Sequence, residues 1–303
     1  MRVMLISASR RTDIPAFYSK WFMNRIQEGY YMKVNPFNRH QTKRISLLKE
    51  DVDAICFWTK NPKPMKSYIP ELLKMEYRFL FQYTLNNYPE DIEPGMPNLA
   101  NRIDEFRSLS ELIGAEKVIW RYDPVVLSNK TNVEYHMKHF TFIAEQLAGY
   151  TNRVMISFQD FYKKTKGRLS KLENEAGYCF EDWLNPDNHT ALHSLVTTIE
   201  KVCKETGIVP FTCSEMIDLD QYGIKHGACI DKSYIEDVFN LPLSGVKDKY
   251  QRAECGCMEA EEMGSYDTCP FGCVYCYAVR SEKLVQTNRQ KHDPTSPFLL
   301  ING

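Results

Sequence analysis

Ala54-Ile55-Cys56-Phe57-Trp58-Thr59 is a short apolar run that stops at Lys60-Asn61-Pro62; after a segment of helical period at 63–75 comes a second run, Phe79-Leu80-Phe81-Gln82-Tyr83-Thr84. Strand, helix and strand in so short a span make a βαβ unit, because the crossover helix returns the chain to the same end of a parallel sheet. Working outward, the same alternation recurs. Strands are expected at 3–7, 118–121, 154–158 and 209–213, with helices at 16–28, 99–113, 133–148 and 190–206. Asp187, Asn188 and Thr190 offer caps ahead of the last helix.

Six such repeats predict an α/β fold, a partial or complete (βα) barrel of TIM type. A doubly wound open sheet is the other arrangement, but no Gly-x-Gly-x-x-Gly follows any of these strands, so the usual dinucleotide turn is missing. Two stretches break the rhythm. Residues 30–48 read as a hairpin inserted between the first two units, and 163–186 as an excursion over the barrel mouth or a short extra helix. Regular alternation fades after Cys229, apart from a helix at 234–240. The expected division is therefore a barrel domain at 1–240 and a cysteine-rich, cluster-binding extension at 241–303.

At 303 residues the chain is long enough for one large barrel. Lys plus Arg (38) nearly balances Asp plus Glu (39), so net charge gives no indication of nucleic acid, and any polyanion has to be met by a local patch. The apolar run Val3 to Ile6 is too short for a secretory segment or a membrane span. The expectation is a cytoplasmic protein with no membrane partner, whose thiols stay reduced and free for metal or cluster ligation.

In βα barrels the loops after the strands build the site, and here those loops are rich in polar residues. Ser7-Ala8-Ser9-Arg10-Arg11-Thr12-Asp13 follows the first strand, Lys60 the second, Arg121-Tyr122-Asp123 the fourth, Gln159 and Asp160 the fifth, and Ser214 and Glu215 the sixth. Arg10 and Arg11 either grip a carboxylate or phosphate through their planar guanidinium forks or stand as a solvated pair ahead of a helix. Lys60 is an anion contact or an ordinary turn lysine. Arg121 and Asp123 point to one face of a strand end, where an ion pair can serve as scaffolding. Asp160 and Glu215, with Gln159, are the groups best suited to hold the amino or ribose part of a cofactor. His136 and His139, at helical spacing, read as ordinary helix surface.

The tail carries five of the ten cysteines: Cys255 and Cys257, then Cys269-Pro270-Phe271-Gly272-Cys273-Val274-Tyr275-Cys276-Tyr277. Three thiolates at C-x3-C-x2-C spacing can cap three irons of a [4Fe-4S] cube and leave the fourth open. Structural zinc is the alternative, since Cys255 and Cys257 with Cys273 and Cys276 would make four thiolates. The scattered Cys56, Cys179, Cys203, Cys213 and Cys229 are expected to be small, inert packing residues.

The C-x3-C-x2-C tract, with Tyr275 just before its last cysteine, resembles the cluster loop of radical S-adenosylmethionine (SAM) enzymes. Together, Ser7-Ala8-Ser9-Arg10-Arg11-Thr12-Asp13-Ile14-Pro15, Phe57 to Pro62, Trp120-Arg121-Tyr122-Asp123-Pro124 and the cysteine tail resemble an uncharacterised bacterial and archaeal family of unknown function. That family is described by the likeness of its C-terminal cysteines to the cluster usually found near the N-terminus of radical SAM domains. The two strand-end motifs are also similar to segments of the spore photoproduct lyase branch. The resemblance implies Cys269, Cys273 and Cys276 as cluster ligands with Tyr275 packed beside them, SAM as cosubstrate, and a reductant such as ferredoxin or flavodoxin. The chain departs from the usual pattern in carrying Arg10 and Arg11 where cysteines would be expected and in lacking a Gly-Gly-Glu after the second strand. The combined expectation is a tail folded across the barrel mouth, with Arg10, Lys60 and Arg121 holding an anionic substrate. A zinc-stabilised binding module and a non-radical barrel enzyme using Asp123 or Glu215 as base, with a structural cluster, remain as alternatives.

Overall fold

The computed structural model describes residues 4–36 and 38–300. Val3, the first residue of the expected opening strand, and Phe37, in the expected hairpin, lie outside the described residues. The strands are β1 Met4–Ala8, β2 Tyr30–Asn35, β3 Asn38–Ser46, β4 Val52–Thr59, β5 Phe79–Thr84, β6 Val118–Val125, β7 Leu127–Ser128, β8 Arg153–Phe158, β9 Phe180–Glu181, β10 Val209–Cys213, β11 Lys225–Gly227 and β12 Glu261–Glu262. The helices are α1 Ile14–Phe17, α2 Ser19–Glu28, α3 Lys63–Lys66, α4 Ile69–Lys74, α5 Leu99–Ile113, α6 Val133–Leu147, α7 Lys166–Ala176, α8 His189–Thr206, α9 Lys232–Phe239 and α10 Glu282–Gln290.

Eight strands form one parallel sheet in the order β11-β10-β8-β6-β5-β4-β1-β12. The six long strands enter in chain order, so the sheet grows in one direction with no reversal, unlike a doubly wound sheet. Among the described strands no pairing joins β11 to β12, so the sheet stays open and the complete-barrel expectation is not met. The β2–β3 pair is the antiparallel hairpin expected at 30–48. The 163–186 excursion holds α7, and β9 within it pairs with β7.

Period-2 alternation divides the sheet into two faces. Ile6, Ile55, Phe57, Phe79, Phe81, Trp120 and Ile156 pack with the helices in the main core. Leu5, Ala54, Cys56, Leu80, Ile119 and Met155 face the other way and are covered by the chain from Ala228 to Met258. Helix α9, through Ile235, Tyr234 and Phe239, is part of that cover.

Two expected helices are split. Tyr18, at φ −133°, separates α1 from α2, and a fresh start with Pro70 in its first turn separates α4 from α3. A proline with fixed φ and no N–H suits a first turn. Asn188 precedes α8 without a side-chain cap bond, while Asn185 accepts from the Asp187 N–H one turn earlier. His136 is not on a helix surface: it is fully buried on α6, between the Tyr122 hydroxyl at 2.9 Å and the Val126 carbonyl at 2.8 Å.

The 241–300 segment wraps the opening of the fold. β12 adds an edge strand beside β1, and Lys33 and Lys43 of the hairpin meet Glu261 at 2.7 and 2.6 Å. Trp21, Asn24 and Arg25 of α2 donate to the carbonyls of Ser296, Pro294 and Thr295. None of the helices among the described residues is long and apolar enough to cross a membrane.

Candidate functional site

At the C-terminal ends of the long strands lies a cavity of about 470 Å³. Residues of the second sheet face continue into it: Trp58 from β4, Thr84 from β5, Arg121 and Asp123 from β6, Ser157 from β8 and Cys213 from β10. The cysteine tail closes the other side with Cys255, Cys257, Cys269, Cys273, Tyr275 and Cys276. Every site residue expected from the sequence lines this one cavity, Arg10, Arg11, Lys60, Gln159, Asp160 and Glu215 included.

The C-x3-C-x2-C loop is held from several directions. The Val274 N–H donates to the Ile92 carbonyl at 3.1 Å, and the Gly95 N–H to Phe271 O at 3.0 Å. Phe17 meets Phe271 edge-on at 4.6 Å, and the Tyr18 hydroxyl donates to Thr268 O at 2.8 Å. Arg168 of α7 spreads its fork over three carbonyls: Val274 at 2.9 Å, Val279 at 2.7 Å, and Cys276. The loop is thus fixed by α1, the segment after β5, and α7. Burial pushes the thiols of Cys269, Cys273 and Cys276 up, and each of the three also feels the charge of its neighbours. Such thiols ionise readily only when a cation is present to hold the thiolates.

Beside the loop sits a buried charge relay. Lys60 Nζ is 2.7 Å from Glu93 Oε1, the Tyr275 hydroxyl donates to the same oxygen, and Arg102 Nη1 is 3.9 Å from Glu93 Oε2. Burial opposes the charge on both Lys60 and Glu93, but each holds the other ionised. Lys60 is therefore committed to Glu93 and is not a free turn lysine. Burial pushes Asp13 up to about 7, although the Lys60 and Ala16 N–H groups donate to it.

Arg121 and Asp123 form a buried ion pair, and Ser157 donates to Asp123. Burial alone would raise Asp123, but Arg121 and the Ser157 hydroxyl hold it below its usual value. Both Arg10 and Arg121 face the Trp58 ring, at 5.5 and 4.9 Å. Arg10 reaches Asp248 only at 4.0 Å, and its Nη2 is buried without a hydrogen-bond partner. Arg11 instead stacks on Tyr266 at 4.6 Å. Burial pushes Glu215 up to about 8, while it accepts from the Phe158 N–H at 2.9 Å. Asp160 is exposed and pairs with Arg252 at 2.6 Å, and Gln159 donates to the Asp160 carbonyl.

Glu93, Arg102 and Arg168 were not singled out from sequence, since each acts from a loop or helix far along the chain, whereas Asp13 stood in the first-strand loop without an assigned role. Cys213 and Cys229, expected to be inert, also reach the cavity; Cys257 contacts both of them, and Cys255 contacts Cys257. Cys213 follows the same alternation that brings Arg121 and Ser157 inward, which is the signal that could have found it. Among the described residues, no three His, Cys, Asp or Glu side chains are already spaced as ligands of one metal ion.

Comparison with curated proteins and with solved structures gives no significant match. Residues 5–278 match the family described as Domain of unknown function (DUF1848), and the chain therefore belongs to that family.

Proposed function

We propose that Cys269, Cys273 and Cys276 bind a [4Fe-4S] cluster and that the protein is a radical SAM-like enzyme acting on an anionic substrate. The observation that carries this reading is the meeting of the three tail cysteines with the strand-end residues in one cavity. The sheet is read as a partial barrel, with the tail supplying from the C-terminus what radical SAM enzymes supply after the first strand. The donor set fits the group: three soft thiols in one loop, a fourth side open to the cavity, and the apolar Phe271, Val274 and Tyr275 around them. When bound, such a cluster would supply one electron to SAM, breaking its C5′–S bond to give methionine and the 5′-deoxyadenosyl group as a hydrogen-abstracting radical.

The chain's own residues divide the remaining work. Arg10, with a buried nitrogen left unpartnered, is the cation best placed to take a carboxylate or phosphate. Glu215, neutral at pH 7, can donate a hydrogen bond where an ionised carboxylate would only accept. Asp160 lines the same cavity as a carboxylate for an amino or ribose group. Lys60 and Glu93 neutralise each other beside the loop, and Arg102 and Arg168 add positive charge to its surroundings. Ferredoxin or flavodoxin is the class of reductant this reading requires.

Zinc shared by Cys255, Cys257, Cys273 and Cys276 is less well supported, because the first two thiols are occupied with other cysteines. Asp123 as a catalytic base is weakened by its engagement with Arg121 and Ser157. The test is anaerobic purification with iron and sulfide analysis, a band near about 400 nm, and detection of 5′-deoxyadenosine after reduction with SAM. Zinc without iron after reconstitution overturns cluster binding; an intact cluster that never cleaves SAM overturns the radical reading alone.

A further inference from the structure

We infer that Cys213, Cys229, Cys255 and Cys257 form a second metal centre, a four-thiolate site for one tetrahedral ion, separate from the C-x3-C-x2-C loop. Three segments bring these thiols together: the end of β10, the turn after β11, and the Cys255-Gly256-Cys257 stretch of the tail. The sulfurs of Cys213 and Cys229 are 2.6 Å apart. Cys257 touches the thiols of Cys213, Cys229 and Cys255, so it is the hub of the group. Cys229, Cys255 and Cys257 are each at most 5% exposed.

Packing of inert thiols does not account for what surrounds them. A buried cysteine acting as a small hydrophobe sits among apolar groups. Here Arg121 Nη1 donates to the Cys229 sulfur at 2.6 Å, the Ile230 N–H to the Cys257 sulfur at 3.4 Å, and Arg10 lies close enough to Cys257 and Cys229 to feel their charge. Arg10 Nη2 has no hydrogen-bond partner although it is buried. Four thiolates on a divalent ion carry two negative charges. Arg121 already meets Asp123, so its bond to Cys229 is an additional one, whereas Arg10 has a carboxylate within ion-pair range only at 4.0 Å, and without the ion its buried charge lacks a close counter-ion.

Metal–sulfur bonds of about 2.3 Å around a tetrahedral centre set the sulfurs about 3.8 Å apart. Cys213 and Cys229, 2.6 Å apart, therefore have to part by about 1 Å to admit an ion. Soft thiolates select zinc or iron, and with all four positions filled the site is closed. Such an ion would pin the tail to β10 and orient Arg10 and Arg121 toward the cavity.

The test uses the full chain with Cys269, Cys273 and Cys276 replaced by alanine, so that failure of the proposed cluster does not bear on it. Metal analysis is expected to find about one equivalent of zinc or iron, without sulfide, and cobalt(II) should give the intense d–d bands of a tetrahedral thiolate site. Adding Cys229→Ser and Cys257→Ser should abolish both, whereas Cys56→Ser, a buried thiol outside the group, should leave them unchanged. Absence of metal and of the cobalt spectrum in the triple variant overturns the proposal, and so does sulfide accompanying the iron, which would mean a cluster instead of one ion. The cobalt arm needs no variant of the second site to fold.

Discussion

Replacing Arg168 with methionine isolates the contribution of α7 to the cysteine loop. The side chain keeps its apolar stem while three hydrogen bonds, to Val274, Cys276 and Val279 carbonyls, disappear together. Hydrogen bonds from a charged donor contribute about 1.5–3 kcal/mol each; Arg168 is half-buried and the three are coupled, so a joint loss of about 3–5 kcal/mol is expected. For 303 residues the unfolding entropy is about 0.6 kcal/mol per kelvin, which turns that loss into a fall in Tm of about 5–8 °C. Amide exchange followed by mass spectrometry should show the loop at 273–279 exchanging about a hundredfold faster than wild type, while peptides of β4 and β5 change less. Arg168→Lys should recover only part of the effect, because an ammonium cannot bridge three acceptors held at fork spacing. If Arg168→Met leaves both Tm and exchange of the loop at wild-type values, the clasp does not hold the loop and the reasoning fails.

His136 supplies a pH dependence. Burial lowers its folded value from 6.5 to about 4, so the unfolded chain binds the extra proton between those values and stability falls as pH drops from 6.5 toward 4. The loss is about 2 kcal/mol at pH 5 relative to pH 7.5; urea midpoints should show it in wild type, and the slope should flatten by that amount in His136→Gln. Glu93→Gln leaves Lys60 and Arg102 buried without their counter-charge and should cost about 3–5 kcal/mol in thermal or urea unfolding, with Lys60→Met in the same chain recovering much of it. Recovery of nothing would mean that the pair is not coupled. Gly95→Ala places a Cβ 2.7 Å from the carbonyl oxygen and 2.9 Å from the Cα of Phe271. Backbone cannot swing aside as a side chain can, so about 1–3 kcal/mol and faster thiol labelling of Cys269, Cys273 and Cys276 are expected. Unchanged labelling would show that the loop gives way there without cost.

Much of the fold was legible because alternation of period 2 and helical period are properties of a few neighbouring residues. The six long strands and α5, α6 and α8 lie where these patterns predict them. The burial of His136 and the edge strand β12 were not legible, since each depends on what a distant segment packs against, whereas the split at Pro70 carried a local signal in the proline itself. The same boundary runs through the site. Arg10, Lys60, Arg121, Asp160 and Glu215 could be nominated because they follow strands, but their states could not. Lys60 is tied down by Glu93, a loop residue with no local signature, and Glu215 is held neutral by surroundings that only the assembled cavity provides.

By itself, then, the sequence determined the βα repeat, the family and the C-x3-C-x2-C loop, all of which rest on local spacing. Only the tertiary structure decided which cysteines meet. Cys213 and Cys229 sit alone in the chain like any packing residue, and Cys255 and Cys257 look like companions of Cys273 and Cys276. The return of the tail across the second face of the sheet brings the first four thiols together under two arginines, and contacts between segments so far apart in the chain leave no trace in local composition.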